Sequence, residues 1–427
     1  MRQRKFKAPP RKTLRRWRVP PALTHGDTDA FEGLSLLEEM PGELGMVLWQ
    51  SLRDAMLWGR SNQAERGALF AEGAERARLA AMLTAGTPAE LEEPVKVVAA
   101  MVGGAETARE ENVALACREV SQWSEARGLL GTALAYAQAA AVVTPADPTA
   151  SFNVGRLARR RKEHARAETW YRRTVALARQ TGDWPIYARA FLGLGNLYAQ
   201  RGNYPAARKF YERALRAAGR NSLHEIVGMA QHDLFGLELL CGNAAEANDR
   251  ARLAFEAYGP IHPRIPYLAH DVAYFWCTQG CFAPALPVLQ SVLRHFHDPA
   301  TQVAVLADIG RAAGGVGDRA TFQQAWDEAV DLIAGNGAQD TAAKAYLDLA
   351  HGALSLSAWE RAEDAAQRAL DGAIKDGDAA TRFAAEALVE AARRHQNAER
   401  TSAAADRDAW CGTADALATD FVHSLEG

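Results

Sequence analysis

The stretch Phe191-Leu192-Gly193-Leu194-Gly195, followed by Tyr198, Gly202, Tyr204, Ala207, Tyr211, Ala214 and Leu215, decides how this chain folds. Its first half places large apolar residues at helical spacing around small ones, and Gly202 then interrupts. A second helical run follows, with alanine where a close crossing needs a short side chain and tyrosine where the space around it must be filled. Five further windows fit the same template. The register residues of the six windows are Gly155, Gly195, Phe235, Ala273, Gly310 and Ala350, 37 to 40 residues apart. Seven residues after each register residue comes the turn position: Lys162, Gly202, Gly242, Gly280, Gly317 and Ser357. The small position of the second helix is Ala167, Ala207, Ala247, Ala285, Phe322 and Ala362.

This pattern resembles the tetratricopeptide repeat (TPR) family, a helix–turn–helix unit of about 34 residues. The resemblance covers roughly residues 148–375, with further helix pairs expected at 105–145 and 381–424. It implies an all-α fold, a right-handed superhelical solenoid of TPR-like helix pairs with extra N-terminal helices. Phe235, Phe322 and Lys162 depart from the family pattern, and the longer period implies helices about a turn longer. Each pair has an apolar face that only a neighbour can cover, so the array needs caps. The Ala-rich 401–424 segment is expected to be the C-terminal capping helix.

Outside the repeats, residues 1–30 form a basic tail with little to bury, expected to be disordered. Residues 31–104 read as a helical N-terminal region, and 105–427 as the solenoid. Ser61 is expected to cap the helix running toward Met82, and Thr87-Pro88-Ala89-Glu90 to start another. The tail carries nine basic residues and no acid through Arg18, so a formal total of −3 leaves −12 on the remainder. Trp17 among Arg15, Arg16 and Arg18 could serve a nucleic-acid arm. A solvated tail is the reading preferred here; a third reading has it lying in the chain's own acidic groove. The five cysteines are too few and scattered for a disulfide framework, which predicts reduced thiols. No apolar run approaches the ~18 residues of a membrane span, so a cytoplasmic protein without membrane contact is expected.

Catalytic signatures do not emerge: there is no GxxxxGK[ST] and no GxSxG, and His224-Glu225 lacks the second histidine of HExxH. No enzyme activity, cofactor or metal is expected. The sharpest feature is a row of aspartates in the repeat frame, Asp233, Asp271, Asp308 and Asp348, with Asn153 at the same place in the first window. His232 and His270 occupy one further equivalent position. In the family this part of the first helix lines the concave surface and contacts extended peptides. The resemblance therefore implies a ligand groove of Asn153, Arg156, Arg189, Asn196, His232, Asp233, Tyr267, His270, Asp271, Tyr274, Asp308, Arg311, Asp348 and His351.

Two readings of the aspartates compete. Each could pair with a cation such as Arg311 or His351 in the next repeat, or the row could be an acidic stripe for a basic or extended protein or peptide. The stripe is preferred, because four aspartates do nothing for helix stability. The chain is accordingly expected to be a non-enzymatic scaffold or adaptor. The alternative is a peptide-responsive regulator similar to bacterial TPR sensors, acting with a DNA-binding partner.

Overall fold

The computed structural model describes residues 33–105, 108–335, 339–395 and 404–427, the side chains of the last stretch from residue 414 onward. The basic tail, and every expectation placed on it, lies outside the described residues. Among those residues there are twenty α-helices and no strand, and the chain divides into two compact units, residues 1–222 and 223–427.

The first unit contains α1 (Leu34–Glu39), α2 (Glu43–Arg60), α3 (Ala74–Thr84), α4 (Ala89–Val102), α5 (Glu110–Ala126), α6 (Leu130–Val143), α7 (Pro148–Arg160), α8 (His164–Thr181), α9 (Trp184–Gln200) and α10 (Tyr204–Arg220). Leu48, Leu52, Val95 and Val98 share one core with Val113, Cys117, Tyr136 and Ala139. Polar bonds tie the same elements: the Tyr136 hydroxyl donates to the Leu48 carbonyl at 2.7 Å. Glu39 accepts the Gly131 and Thr132 amides at 2.7 and 2.8 Å, capping the otherwise orphaned N–H groups of α6. One local expectation shifts. Ser61 closes α2 rather than opening the next helix, its hydroxyl donating to the Leu57 carbonyl at 2.9 Å. Pro94 is buried within α4 without ending it.

The second unit contains α11 (His224–Leu240), α12 (Ala244–Tyr258), α13 (Ile265–Thr278), α14 (Phe282–Leu293), α15 (Pro299–Val316), α16 (Arg319–Ala334), α17 (Gln339–Ser355), α18 (Trp359–Asp376), α19 (Ala379–Arg393) and α20 (Ala404–Glu426). Expected as the cap at the end of the array, α20 instead packs back on α12, α13 and α14. The reason is its stripe Ala414, Leu417, Ala418, Phe421 and Leu425, which joins the core of those helices. Phe421 meets Phe255 edge-on at 5.2 Å, and the His295 ring lies 3.1 Å from the Leu425 carbonyl.

The repeat frame holds throughout. Ala167, Ala207, Ala247, Ala285 and Ala362 are fully buried at the helix crossings. Left-handed backbone is required at the turn whichever residue stands there: φ is 71° at Gly202 and 76° at Gly242, but also 63° at Lys162 and 58° at Ser357. Where Phe322 replaces the alanine of α16, glycine on the neighbouring helices yields the room. A Cβ at Gly352 would lie 2.5 Å from the Gly310 carbonyl oxygen and 3.0 Å from the Phe322 ring. Gly310, Gly314 and Gly352 thus bring the backbones of α15 and α17 together. Cys117, Cys241 and Cys277 are free thiols. Cys281 is disulfide-bonded, its partner side chain lying outside the described residues, which corrects the expectation of a wholly reduced set.

Candidate functional site

The aspartates of the second unit sit on its first-of-pair helices, α11, α13, α15 and α17, and three of them are joined in a ladder. A base from one helix meets the aspartate of the next. His232 Nε2 lies 2.9 Å from Asp271 Oδ2, His270 Nε2 lies 2.9 Å from Asp308 Oδ2, and Arg311 Nη1 donates to Asp348 Oδ1 at 2.6 Å. The equivalence of His232 and His270 in the repeat frame is therefore real, but each histidine reaches forward one repeat instead of stacking on its counterpart. Asp233 is half-buried on α11.

Burial divides the ladder. Asp271 keeps a side chain 53 % exposed, whereas Asp308 and Asp348 are 3 % and 8 % exposed. An acidic stripe running the length of the face is consequently not what this unit presents. Burial pushes the Asp308 carboxyl above the usual carboxylate range, against the opposing hydrogen bond from His270. Burial and then the charge of Asp308 push Asp348 up to about 7, although Arg311 opposes both. Burial alone would lower His270, but its hydrogen bond to Asp308 and that carboxylate's charge outweigh it and raise its pKa. With His270 protonated, two carboxylates face two cations, and the buried set is neutral. His351, half-buried near the Arg311 guanidinium, is pushed down to about 3 by desolvation and that charge.

What remains open lies on α13. Tyr267 and Tyr274 are 59 % and 41 % exposed, and with Asp271 they follow helical spacing on one face. Tyr267 is steadied by an edge-on contact with Phe296 at 5.2 Å.

In the first unit the expected groove residues are engaged within the fold. Arg156 donates to both carboxylate oxygens of Glu125 on α5, through Nη2 at 2.6 Å, and holds that carboxyl below its ordinary range. The Asn196 carbonyl accepts the Tyr211 hydroxyl at 2.6 Å within its own helix pair. Asn153 lines a small recess beside Arg118 and Arg156, and Arg189 is half-buried on α9. Glu125 was not legible as a partner, because it lies before the first aligned window and only proximity of α5 and α7 reveals it. Among the described residues no cluster of His, Cys, Asp and Glu could hold a metal ion. No helix among them is long and apolar enough to cross a membrane.

Comparison with known proteins agrees with this architecture. Residues 147–220 match the tetratricopeptide repeat family model. No curated protein matches the sequence. Among solved structures, the chain is similar to the signal transduction ATPase with numerous domains from Pyrococcus horikoshii, which carries a tetratricopeptide repeat sensor. That similarity has 12 % identity and a TM-score of 0.52, over 92 % of this chain and 64 % of that one. It is also similar to BtubC (BKLC) from P. vanneervenii, with 19 % identity and a TM-score of 0.41, over 53 % of this chain and 91 % of that one. These likenesses concern the fold.

Proposed function

We propose that in this chain, whose residues 147–220 match the tetratricopeptide repeat family, the α13 face of the second unit receives an extended protein or peptide segment. The chain acts on this reading as a non-enzymatic adaptor. One observation carries it: two tyrosine rings stand largely outside the core on either side of an exposed carboxylate, on a helix whose neighbours are locked by the ladder.

The magnitudes assign roles. An exposed ion pair is worth about 0–1 kcal/mol, so Asp271 selects for a basic group without supplying much affinity. Tyrosine bodies packed against a ligand and sealed from water supply the larger share, as aromatic anchors do at interfaces generally. The buried pairs His270–Asp308 and Arg311–Asp348 contribute by fixing the helices in advance, which lowers the ordering cost of binding.

The test is photo-crosslinking from position 274 in the native cell, comparing the otherwise wild-type chain with one carrying Tyr267→Ala and Asp271→Ala. A crosslinked partner that disappears in the variant, at unchanged helical circular dichroism, supports the reading. The same crosslinks in both would remove α13 as the docking face.

A further inference from the structure

The first unit contains a cavity of about 350 Å³. Arg179 of α8 and Arg213, Arg216 and Arg220 of α10 line it, with Tyr187 and Phe191 of α9 forming an aromatic wall. On α10 the three arginines follow one another at spacings of three and four residues, which places them on a single helical face. The wall is ordered: Tyr187 meets Phe191 edge-on at 4.9 Å, and Phe191 stacks on Phe210 at 6.1 Å. The Arg213 guanidinium lies 5.9 Å from the Phe191 ring centre and 5.8 Å from that of Phe210, so its plane is held at the cavity edge by cation–π attraction.

The charge here is uncompensated. Five other arginines of this unit are paired: Arg156 and Arg160 with Glu125, Arg161 with Glu163, Arg172 and Arg201 with Glu168. Around the cavity only Arg216 has such a partner, Glu212 at 3.5 Å with both side chains about half exposed. Arg179, Arg213 and Arg220 form no ion pair among the described residues, and the cavity lining contains no carboxylate. Like charges three and four residues apart on one helix repel, and the ring contacts of Arg213 and the place of Arg220 in the last turn of α10 offset this only in part. An anion would offset the rest.

We propose that this cavity binds a nucleoside di- or triphosphate, its phosphates held by the arginines and its base against Tyr187. Arginine forks match phosphate oxygens bidentately. Converging guanidinium groups on a cavity at the small end of ligand-site volumes call for dense negative charge. An extended acidic peptide spreads its carboxylates at about 3.3 Å per residue and turns alternate ones away, which suits this compact site less well. A planar base can stack on the half-buried Tyr187 ring, which the buried Phe191 backs. With no carboxylate in the lining to act as a base or bind a metal, the site is one of binding.

Calorimetric titration of the full chain at low salt tests the assignment, with ATP, tripolyphosphate and a tetraglutamate peptide as probes. ATP is expected to bind saturably at one site, about ten-fold more tightly than tripolyphosphate because of base stacking. Arg213→Ala with Arg220→Ala should weaken ATP by ten-fold or more while the melting temperature stays near wild type. Tyr187→Ala should lower ATP to the level of tripolyphosphate. An absence of saturable ATP binding, equal binding of ATP by wild type and the double arginine variant, or ATP no tighter than tripolyphosphate would overturn the assignment. Tetraglutamate binding as tightly as ATP would overturn it in favour of an acidic peptide site.

Discussion

The step from α11 to α13 and the step from α15 to α17 carry an aspartate at the same register, and they treat it in opposite ways. Between α11 and α13 the pair His232–Asp271 stands half in water, with Asp271 the exposed partner. Between α15 and α17 the pair Arg311–Asp348 is buried, its side chains 14 % and 11 % exposed. The difference comes from backbone approach. Glycines at 310, 314 and 352 let α15 and α17 close on each other, and closure removes the water that Asp271 keeps. One sequence position therefore yields a surface charge in one repeat and a structural core charge in the next but one.

The largest test is Arg311→Met. It leaves Asp348 buried without its cation beside Asp308, which should cost about 3–5 kcal/mol in chemical denaturation. Adding Asp348→Leu should restore most of that stability, since an apolar pair can replace a buried ion pair. A cost below about 1 kcal/mol for the single change would erase the distinction between the two steps.

Gly352→Ala addresses the cause of the difference. Its new Cβ would press on the Gly310 carbonyl oxygen, and about 1–3 kcal/mol of stability should be lost. Gly236→Ala on α11, where a Cβ meets nothing within 4 Å, should instead add up to about 1 kcal/mol. Equal effects at the two glycines would remove close packing as the explanation.

Titration sharpens the contrast further. His270 has its pKa raised in the folded chain, so its contribution is full below its unfolded value near 6.5 and is lost as pH rises through the folded value. Asp348, pushed up to about 7, acts in the same direction between about pH 4 and 7. His351, pushed down to about 3, acts oppositely, its contribution being lost as pH falls below about 6.5. Above pH 6.5 only the falling contributions remain. Thermal stability should therefore decline from pH 6.5 to 8.5, and His270→Gln should flatten the decline. A wild-type curve that rises over that interval would contradict the neutral buried set.

The smallest effect belongs to the open step. Asp271→Ala removes a half-exposed partner and should cost less than about 1 kcal/mol. A loss matching that of Arg311→Met would mean that both steps are sealed.

The helix pairs, their turns and the aspartate register were all legible in the sequence, because each follows from short spacings within one repeat that recur every 37 to 40 residues. Helical period, a glycine or its left-handed substitute at the turn, and alanine at the crossing are local requirements, and Lys162 and Ser357 show that the geometry persists even where the preferred residue is absent. The candidate site was half legible. The positions of His232, His270 and the four aspartates followed from the frame, but their pairing did not, since each bond spans 37 to 39 residues. Burial of Asp308 and Asp348 depends on glycines that read in the sequence merely as small. The arginines of α10 were visible at helical spacing, yet their sharing of a cavity with Arg179 and Tyr187 is a property of three packed helices. The return of α20 onto α12–α14 also belongs to the tertiary structure alone: an apolar stripe shows that a helix must be covered, and only the available core decides where.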